Sequence, residues 1–483
     1  MSESSIAKLA QSTTARPNLT TKPYKYLGFA FLLAWHYCLW FVPQVFPHVP
    51  LLESSVTYSW LINLTATVCA LFFIAKVLGR KKHLSETRWL YIAAPLLTCA
   101  GTLFFLLVPL SFNNTLVAYG LAVFMGITEA VMWILWGEHY GSIKAKFSIK
   151  HIGTIFGLTL IVTIIISMVL PPYISSLFVA ILPIVSGALL FSAARNKQSR
   201  YPHLLPKATA KAGFKSLVAV SIIGFVASIA CYFLAAIIPW EELPMLEESF
   251  TYGIIGGAVL MLFISAICTI ASKLTNIFKL LPWLLVVEIM AFVLFVIAED
   301  YYLPSFILAL AISSIFEILL IMYFGILTSK GYVPPAWAFA SSCGCIRAGI
   351  LVGNSLAITY ESFPTFAKIA TPETCLVFIG ILMILLIFLV KQEFSIATLT
   401  SDPVKADELK VICQDISYEF SLSDREGEIL FLISAGHRTE SIAKKLVISP
   451  HTVNTHIRHI YEKTQINKRS ELLNYINMHR SDY

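Results

Sequence analysis

The feature that most restricts this chain is a succession of apolar runs, each long enough to cross a bilayer, that stops abruptly near Lys391. A helix rising 1.5 Å per residue needs roughly 20 apolar residues to span the hydrocarbon core. Marking runs bounded by charge, Pro or Gly gives about twelve spans. They lie near residues 27–46, 56–78, 89–110, 115–137, 154–170, 174–194, 216–240, 251–272, 282–298, 305–328, 338–359 and 373–390. Backbone amides in lipid must be satisfied within their own segment, so these runs predict helices and an all-α fold. With 57% hydrophobic and 13% charged residues, the chain has too few charges to cover a soluble surface of this size. Residues 1–26 are polar and weakly basic, and the first apolar run outlasts a signal-peptide core, so a cytoplasmic N-terminal segment is expected rather than a cleavable leader.

Charge asymmetry orients the spans. With the N-terminus inside, the inner loops hold Arg80, Lys81, Lys82, Arg88, Lys144, Lys146 and Lys150, then the basic stretch 195–215, Lys273, Lys279 and Lys330. The outer loops hold Lys368 against Glu53, Glu241, Glu242, Glu247, Glu248, Glu299, Asp300 and Glu361. Cations collect on the cytoplasmic side, so a bacterial inner-membrane protein with both termini in the cytoplasm is expected. The loop 195–215 divides the spans into two sets of six. That layout, with Gly79-Arg80-Lys81-Lys82-His83-Leu84 after the second span, resembles the major facilitator superfamily. Leu78 stands where that motif carries an acid. The resemblance implies two six-helix halves around a cavity over residues 27–390; it does not imply transport.

Ionisable groups at bilayer depth face a cavity, a partner or water. Those expected to form a ligand site are Arg347, Glu317, Glu129 and Glu288, with Asn354 and Trp133 beside them; His36, Asn63, Trp35, Trp40 and Trp136 are further polar or aromatic candidates. Two readings of Arg347 stand side by side: it meets an anionic group of a small molecule, or it pairs with Glu317 or Glu288 to hold helices together. The stretch from Ser341 to Gly349 is rich in small residues and lets helices approach closely. The nine cysteines are scattered without metal-ligand spacing, and no catalytic arrangement, cofactor motif or metal site stands out, so an enzyme is not expected.

Beyond Lys391 the chain reads as a soluble tail, with a linker at 391–419 and four short helical patterns over 420–483. Ser423 with Glu426 three residues on forms a capping box ahead of Ile429, Leu430, Leu432 and Ile433. A second helix opens at Thr439, and the turn Val447-Ile448-Ser449 leads to Pro450 at the first position of a third, where proline is favoured. Val453, Ile457 and Ile460 would anchor that helix; Leu472, Leu473 and Ile476 lie on a fourth at 470–477. The ordered segments Leu422-Ser423-Asp424-Arg425-Glu426, Ile442-Ala443-Lys444-Lys445-Leu446, Ile448-Ser449-Pro450-His451-Thr452-Val453, His456-Ile457 and Tyr461-Glu462-Lys463-Thr464 resemble the LuxR-type helix-turn-helix family.

That resemblance implies a third helix in the major groove of double-stranded promoter DNA, with Asn454, Thr455 and Arg458 at base edges and His451 beside them. Thr439, Lys444, Thr452 and Lys463 would lie near phosphates. Relatives often carry a cation where this chain has Asn454, and Asn reads adenine where a cation favours guanine. The resemblance also implies a homodimer on two half-sites. The combined expectation is a membrane-bound one-component transcription regulator that senses a small molecule through its spans; the alternative is a secondary transporter with a regulatory tail.

Overall fold

The computed structural model describes residues 27–45, 53–79, 82–107, 115–141, 145–195, 204, 207–237, 249–270, 281–297, 301–361, 364–400, 405–434, 437, 439–466, 468–469, 471–473 and 475–476. Among these the regular elements are all helical. The chain divides into two compact units, Met1–Thr400 and Ser401–Tyr483.

The described residues of each expected span lie largely on helices of the first unit. In order these are α1 (Leu27–Phe41), α2 (Glu53–Leu78), α3 (Leu90–Leu107), α4 (Thr115–Gly141), α5 (Ala145–Val169), α6 (Pro172–Arg195), α7 (Lys207–Ala236), α8 (Ser249–Ile270), α9 (Leu281–Ile297), α10 (Tyr302–Ser329), α11 (Pro335–Glu361) and α12 (Pro364–Thr400). Among the described residues eight helices are long and apolar enough to cross a membrane, and four shorter apolar stretches lie at Leu27–Phe41, Gly153–Val169, Tyr252–Phe263 and Leu281–Ile297. The chain is a multi-pass membrane protein.

Burial separates interior helices from rim helices. α10 is buried along nearly its whole length, whereas α12 exposes Leu376, Val377, Ile384, Ile387 and Val390. Exposed aliphatic side chains in such a stripe fit a lipid-facing surface, because lipid is as apolar as they are. The first six helices and the last six meet where α2 packs on α11 and α5 packs on α8.

Within the second half, α11 lies against α7 through two glycines four residues apart. A Cβ at Gly349 would stand 2.5 Å from the Phe225 carbonyl oxygen, and one at Gly353 would stand 2.6 Å from that of Ile229. The small-residue stretch around Arg347 thus serves backbone-to-backbone approach.

The second unit has its own core. α13 (Lys405–Glu419), α14 (Asp424–Ser434), α15 (Thr439–Leu446) and α16 (Pro450–Thr464) enclose Ile412, Cys413, Ile416, Ile429, Leu430, Ile433, Ile442, Val453, Ile460, Leu472 and Ile476. Part of the stretch expected as linker is therefore helical: α12 continues to Thr400, and α13 places Ile412, Cys413 and Ile416 in the domain core. Leu432, Ile457 and Leu473 pack at the core's edge. Of the expected fourth helix, residues 471–473 and 475–476 are helical, and the remainder of 470–477 lies outside the described residues.

The α7–α11 approach makes a prediction. Gly349→Leu should destabilise the membrane unit by about 1–3 kcal/mol through overpacking, seen as a lower thermal midpoint in detergent. Gly380→Leu, on exposed α12 with open space around it, should leave the midpoint unchanged. Equal midpoints for both variants would refute the close packing.

Candidate nucleic-acid interface and a buried ion-pair network

Four of the six expected ligand-site residues converge in the membrane unit. Arg347 of α11 donates from Nη1 to Glu317 Oε1 on α10 at 2.7 Å and from Nη2 to Glu129 Oε1 on α4 at 3.1 Å. Its guanidinium lies 4.5 Å from the ring centroid of Trp133, whose Nε1 donates to the same Glu129 oxygen at 3.0 Å. His36 Nδ1 of α1 stands 3.2 Å from that oxygen. Tyr37, next in sequence, donates its hydroxyl to Glu317 Oε2 at 2.7 Å. Thr67 of α2 reaches Glu129 Oε2 at 3.4 Å. His36, Glu129, Glu317 and Arg347 are all buried, none exceeding 4% exposure.

In this arrangement both terminal nitrogens of Arg347 are engaged by carboxylates, and Nε alone of its nitrogens lacks a hydrogen-bond partner. The partners are Glu317 and Glu129. Glu288 is equally buried on α9 but stands outside the network, with the Cys231 thiol as its polar neighbour. Asn354 bonds its own helix, donating to the Ile350 carbonyl at 2.8 Å. Trp35 and Trp136 donate to Thr102 and Ser186 at 3.1 and 2.9 Å, and Trp40 stacks edge-on against Phe105.

The network ties the two sets of six helices. Glu129, Trp133, His36, Tyr37 and Thr67 come from the first set, Glu317 and Arg347 from the second, and the bonds Arg347–Glu129 and Tyr37–Glu317 cross between them. Sequence reasoning missed Tyr37 and Thr67. It also missed Glu138, which is buried at the end of α4 and accepts from the Leu84 and Ser85 amides at 2.8 and 2.9 Å. Glu138 thus holds the backbone of Leu84 and Ser85 ahead of α3.

The second unit builds a helix-turn-helix from local rules. Ser423 N donates to Glu426 Oε2 at 2.7 Å while Glu426 N donates to Ser423 Oγ at 3.4 Å, a reciprocal capping box. Burial works to raise the Glu426 carboxyl, but hydrogen bonds from Lys463 and Ser423 outweigh it and hold the group below the usual carboxylate range. Ser449 N-caps α16, accepting from Thr452 N at 3.0 Å, with Pro450 in the first turn. Arg425 joins α14 to the end of α15 by donating to the Leu446 carbonyl at 2.8 Å.

Three helices of this unit end in the same way. Ser421, Val447 and Gln465 adopt left-handed φ of 49°, 54° and 57°. The next amides, Leu422, Ile448 and Ile466, reach back to the carbonyls of Ser417, Ala443 and Tyr461. These are Schellman-type closures, which normally recruit glycine or asparagine. Val447 is the costly member, because a β-branched residue at positive φ is sterically disfavoured.

On α16, Val453 and Ile460 face inward while His451, Thr452, Asn454 and Arg458 are exposed. Thr455 is half-buried and donates to the His451 carbonyl at 3.1 Å. Arg458 is 70% exposed and lies 3.7 Å from Glu462, one turn on. Lys444 is exposed on α15, and Thr439 is half-buried at its start. Lys463 is engaged within the domain, donating to Glu426 Oε2 at 2.7 Å and to the Ser421 carbonyl at 3.2 Å.

Two predictions follow from these geometries. Arg347→Leu strands two buried carboxylates and should cost the membrane unit about 3–5 kcal/mol; combining it with Glu129→Gln and Glu317→Gln should recover most of the loss in detergent melts. Additive losses would show that the three residues act separately. In residues 401–483, Val447→Asn should relieve about 1 kcal/mol of backbone strain and raise the circular-dichroism melting point by several degrees, roughly as expected for a small domain. An unchanged or lower melting point would remove the strain argument.

Comparison with known proteins places the second unit. Residues 420–476 match the family described as bacterial regulatory proteins, luxR family. The response regulator GacA of Pseudomonas aeruginosa is 46% identical over 52 residues, which is 11% of this chain and 24% of GacA. A putative HTH-type transcriptional regulator of Mycobacterium bovis is 40% identical over 53 residues, 11% of this chain and 6% of that protein. The chain thus spans only a small part of these relatives. Among solved structures, the human organic anion transporter MFSD10 (TETRAN) is 12% identical with a TM-score of 0.47, covering 77% of this chain and 100% of its own. Residues 420–476 of the multi-pass membrane protein thus form a DNA-binding helix-turn-helix of the LuxR family.

Proposed function

We propose that this protein is a membrane-bound one-component transcription regulator, in which a small molecule met by the membrane unit controls how the C-terminal domain binds promoter DNA. The observation that carries the reading is the surface of α16: its apolar residues are committed to the core, while Asn454 and Arg458 project on the opposite side. In this reading Asn454, Thr455 and Arg458 meet base edges, with His451 beside them, and Thr439, Lys444 and Thr452 approach phosphates. Lys463 joins them when it leaves Glu426. The termini face the cytoplasm of a bacterial inner membrane, and two copies bind two half-sites.

The sensing element in this proposal is the Arg347 network. A ligand that engages either Arg347 or one of its carboxylates must displace a bond that ties the two sets of helices together. Its different affinity for the tied and untied states then supplies the coupling energy. Four residues separate α12 from α13 in the chain, a connection short enough to pass on a movement. The transporter alternative keeps one specific support, Glu288, a buried carboxylate that the network does not use and that could carry a proton.

Binding of residues 401–483 to DNA upstream of the protein's own and neighbouring genes tests the reading. Arg458→Ala should weaken site-selective binding by about 1–3 kcal/mol, roughly 5- to 150-fold, and relax specificity at one base position. Lys444→Ala should weaken binding to all sequences alike and lower the salt slope by about one. Unchanged selectivity in Arg458→Ala would sink the assignment of α16 as the reading helix.

A further inference from the structure

We infer that the helix-turn-helix domain carries a divalent transition-metal site formed by Glu426, His456 and His459, which fastens the recognition helix to the start of the domain's first motif helix. The inference rests on the DNA-binding reading only for its consequence, not for the site. A ligand atom from each of the three residues lies within 4.8 Å of the others. Glu426 stands in the first turn of α14; His456 and His459 lie three residues apart on α16, where neighbouring turns of a helix present their side chains together.

The polar groups of the cluster divide the work between two partners. Glu426 Oε2 takes the capping bond from Ser423 and the Lys463 ammonium. Oε1 is left toward the imidazoles, with His459 Nδ1 at 3.6 Å. The two imidazole rings stand perpendicular, their centroids 6.4 Å apart. His456 Nδ1 is buried and has no hydrogen-bond partner, a cost that the domain's core packing does not require. A metal ion would satisfy such a nitrogen.

Two imidazoles and one carboxylate are the donor set of zinc and its borderline neighbours cobalt and nickel; calcium and magnesium prefer oxygen alone. Three protein donors leave a fourth position for water. By helical rotation, His456 and His459 lie on a flank between the apolar stripe of Val453 and Ile460 and the face of Asn454 and Arg458. An ion there leaves the DNA-facing residues open. It also competes for the carboxylate that holds Lys463, a side chain on a flexible stem, and so releases that cation toward phosphate.

The test uses the untagged full chain in detergent with zinc and cobalt ions as probes. Wild type should bind one more zinc per chain than the His456→Gln/His459→Gln variant. Cobalt should give a visible absorption that zinc bleaches and the double variant lacks. Each single variant should lose at least tenfold in zinc affinity, while His451→Gln, on the exposed face of the same helix, keeps both signals. Zinc should tighten promoter binding several-fold in wild type and not in the double variant, with a salt slope steeper by about one. Equal zinc stoichiometry and affinity in wild type and double variant would overturn the site. A DNA response to zinc that persists in the double variant would overturn its link to recognition.

Discussion

The guanidinium of Arg347, held between Glu317 and Glu129, is the constraint around which the membrane unit is arranged. A cation at bilayer depth persists where its partners surround it completely. Here Glu129 arrives from α4 and Glu317 from α10, and these carboxylates are bonded in turn from α1 and α2, so helices far apart in sequence converge on one cluster. Convergence requires close backbones, and Gly349 and Gly353 supply that on the helix that bears the arginine. The aromatic residues complete the enclosure: Trp133 covers the guanidinium face and binds the same carboxylate, so its ring and its N–H act together.

The bonds Arg347–Glu129 and Tyr37–Glu317 join the two sets of helices. The cluster brings two carboxyl groups, Glu129 and Glu317, to one guanidinium, with the His36 imidazole 3.2 Å from Glu129. Any change in charge or occupancy at this point acts on the bonds between the two sets of helices. Buried groups respond to such changes far more strongly than surface pairs, because little solvent screens them.

What the sequence made legible is what depends on local periodicity. Apolar run length fixed where the twelve helices lie, and the capping box, Pro450 and the Val453–Ile460 stripe fixed the helix-turn-helix. Periodicity says which residues share a face; it does not say which neighbour that face meets. Pairing across 218 residues between Glu129 and Arg347, the choice of Glu129 over Glu288, and the part played by Tyr37 in a run of aromatics all depend on tertiary packing. The same limit hid the approach of His456 and His459 to Glu426. The boundary of the second domain was obscured for a different reason: α13 has a sequence polar enough to read as a linker, yet three of its residues complete a core too small to close without them.

Residues 420–483 carry nine Lys and Arg against seven Asp and Glu, so cations exceed anions there only slightly. Three of these cations are engaged at home: Lys463 with Glu426, Arg425 with Glu428, and Arg458 beside Glu462. Non-specific affinity arises from phosphate neutralisation, so a domain that must first release its cations from carboxylates gains less from arbitrary DNA. Arg458, proposed at a base edge, must likewise leave Glu462, whereas Asn454 carries no charge to release, so the cost falls on part of the base-edge set as well as on phosphate contacts. In the proposed regulator a second copy would add to the affinity of the first, and a conformational change at the buried arginine that altered how two copies are presented would reach DNA occupancy by that route.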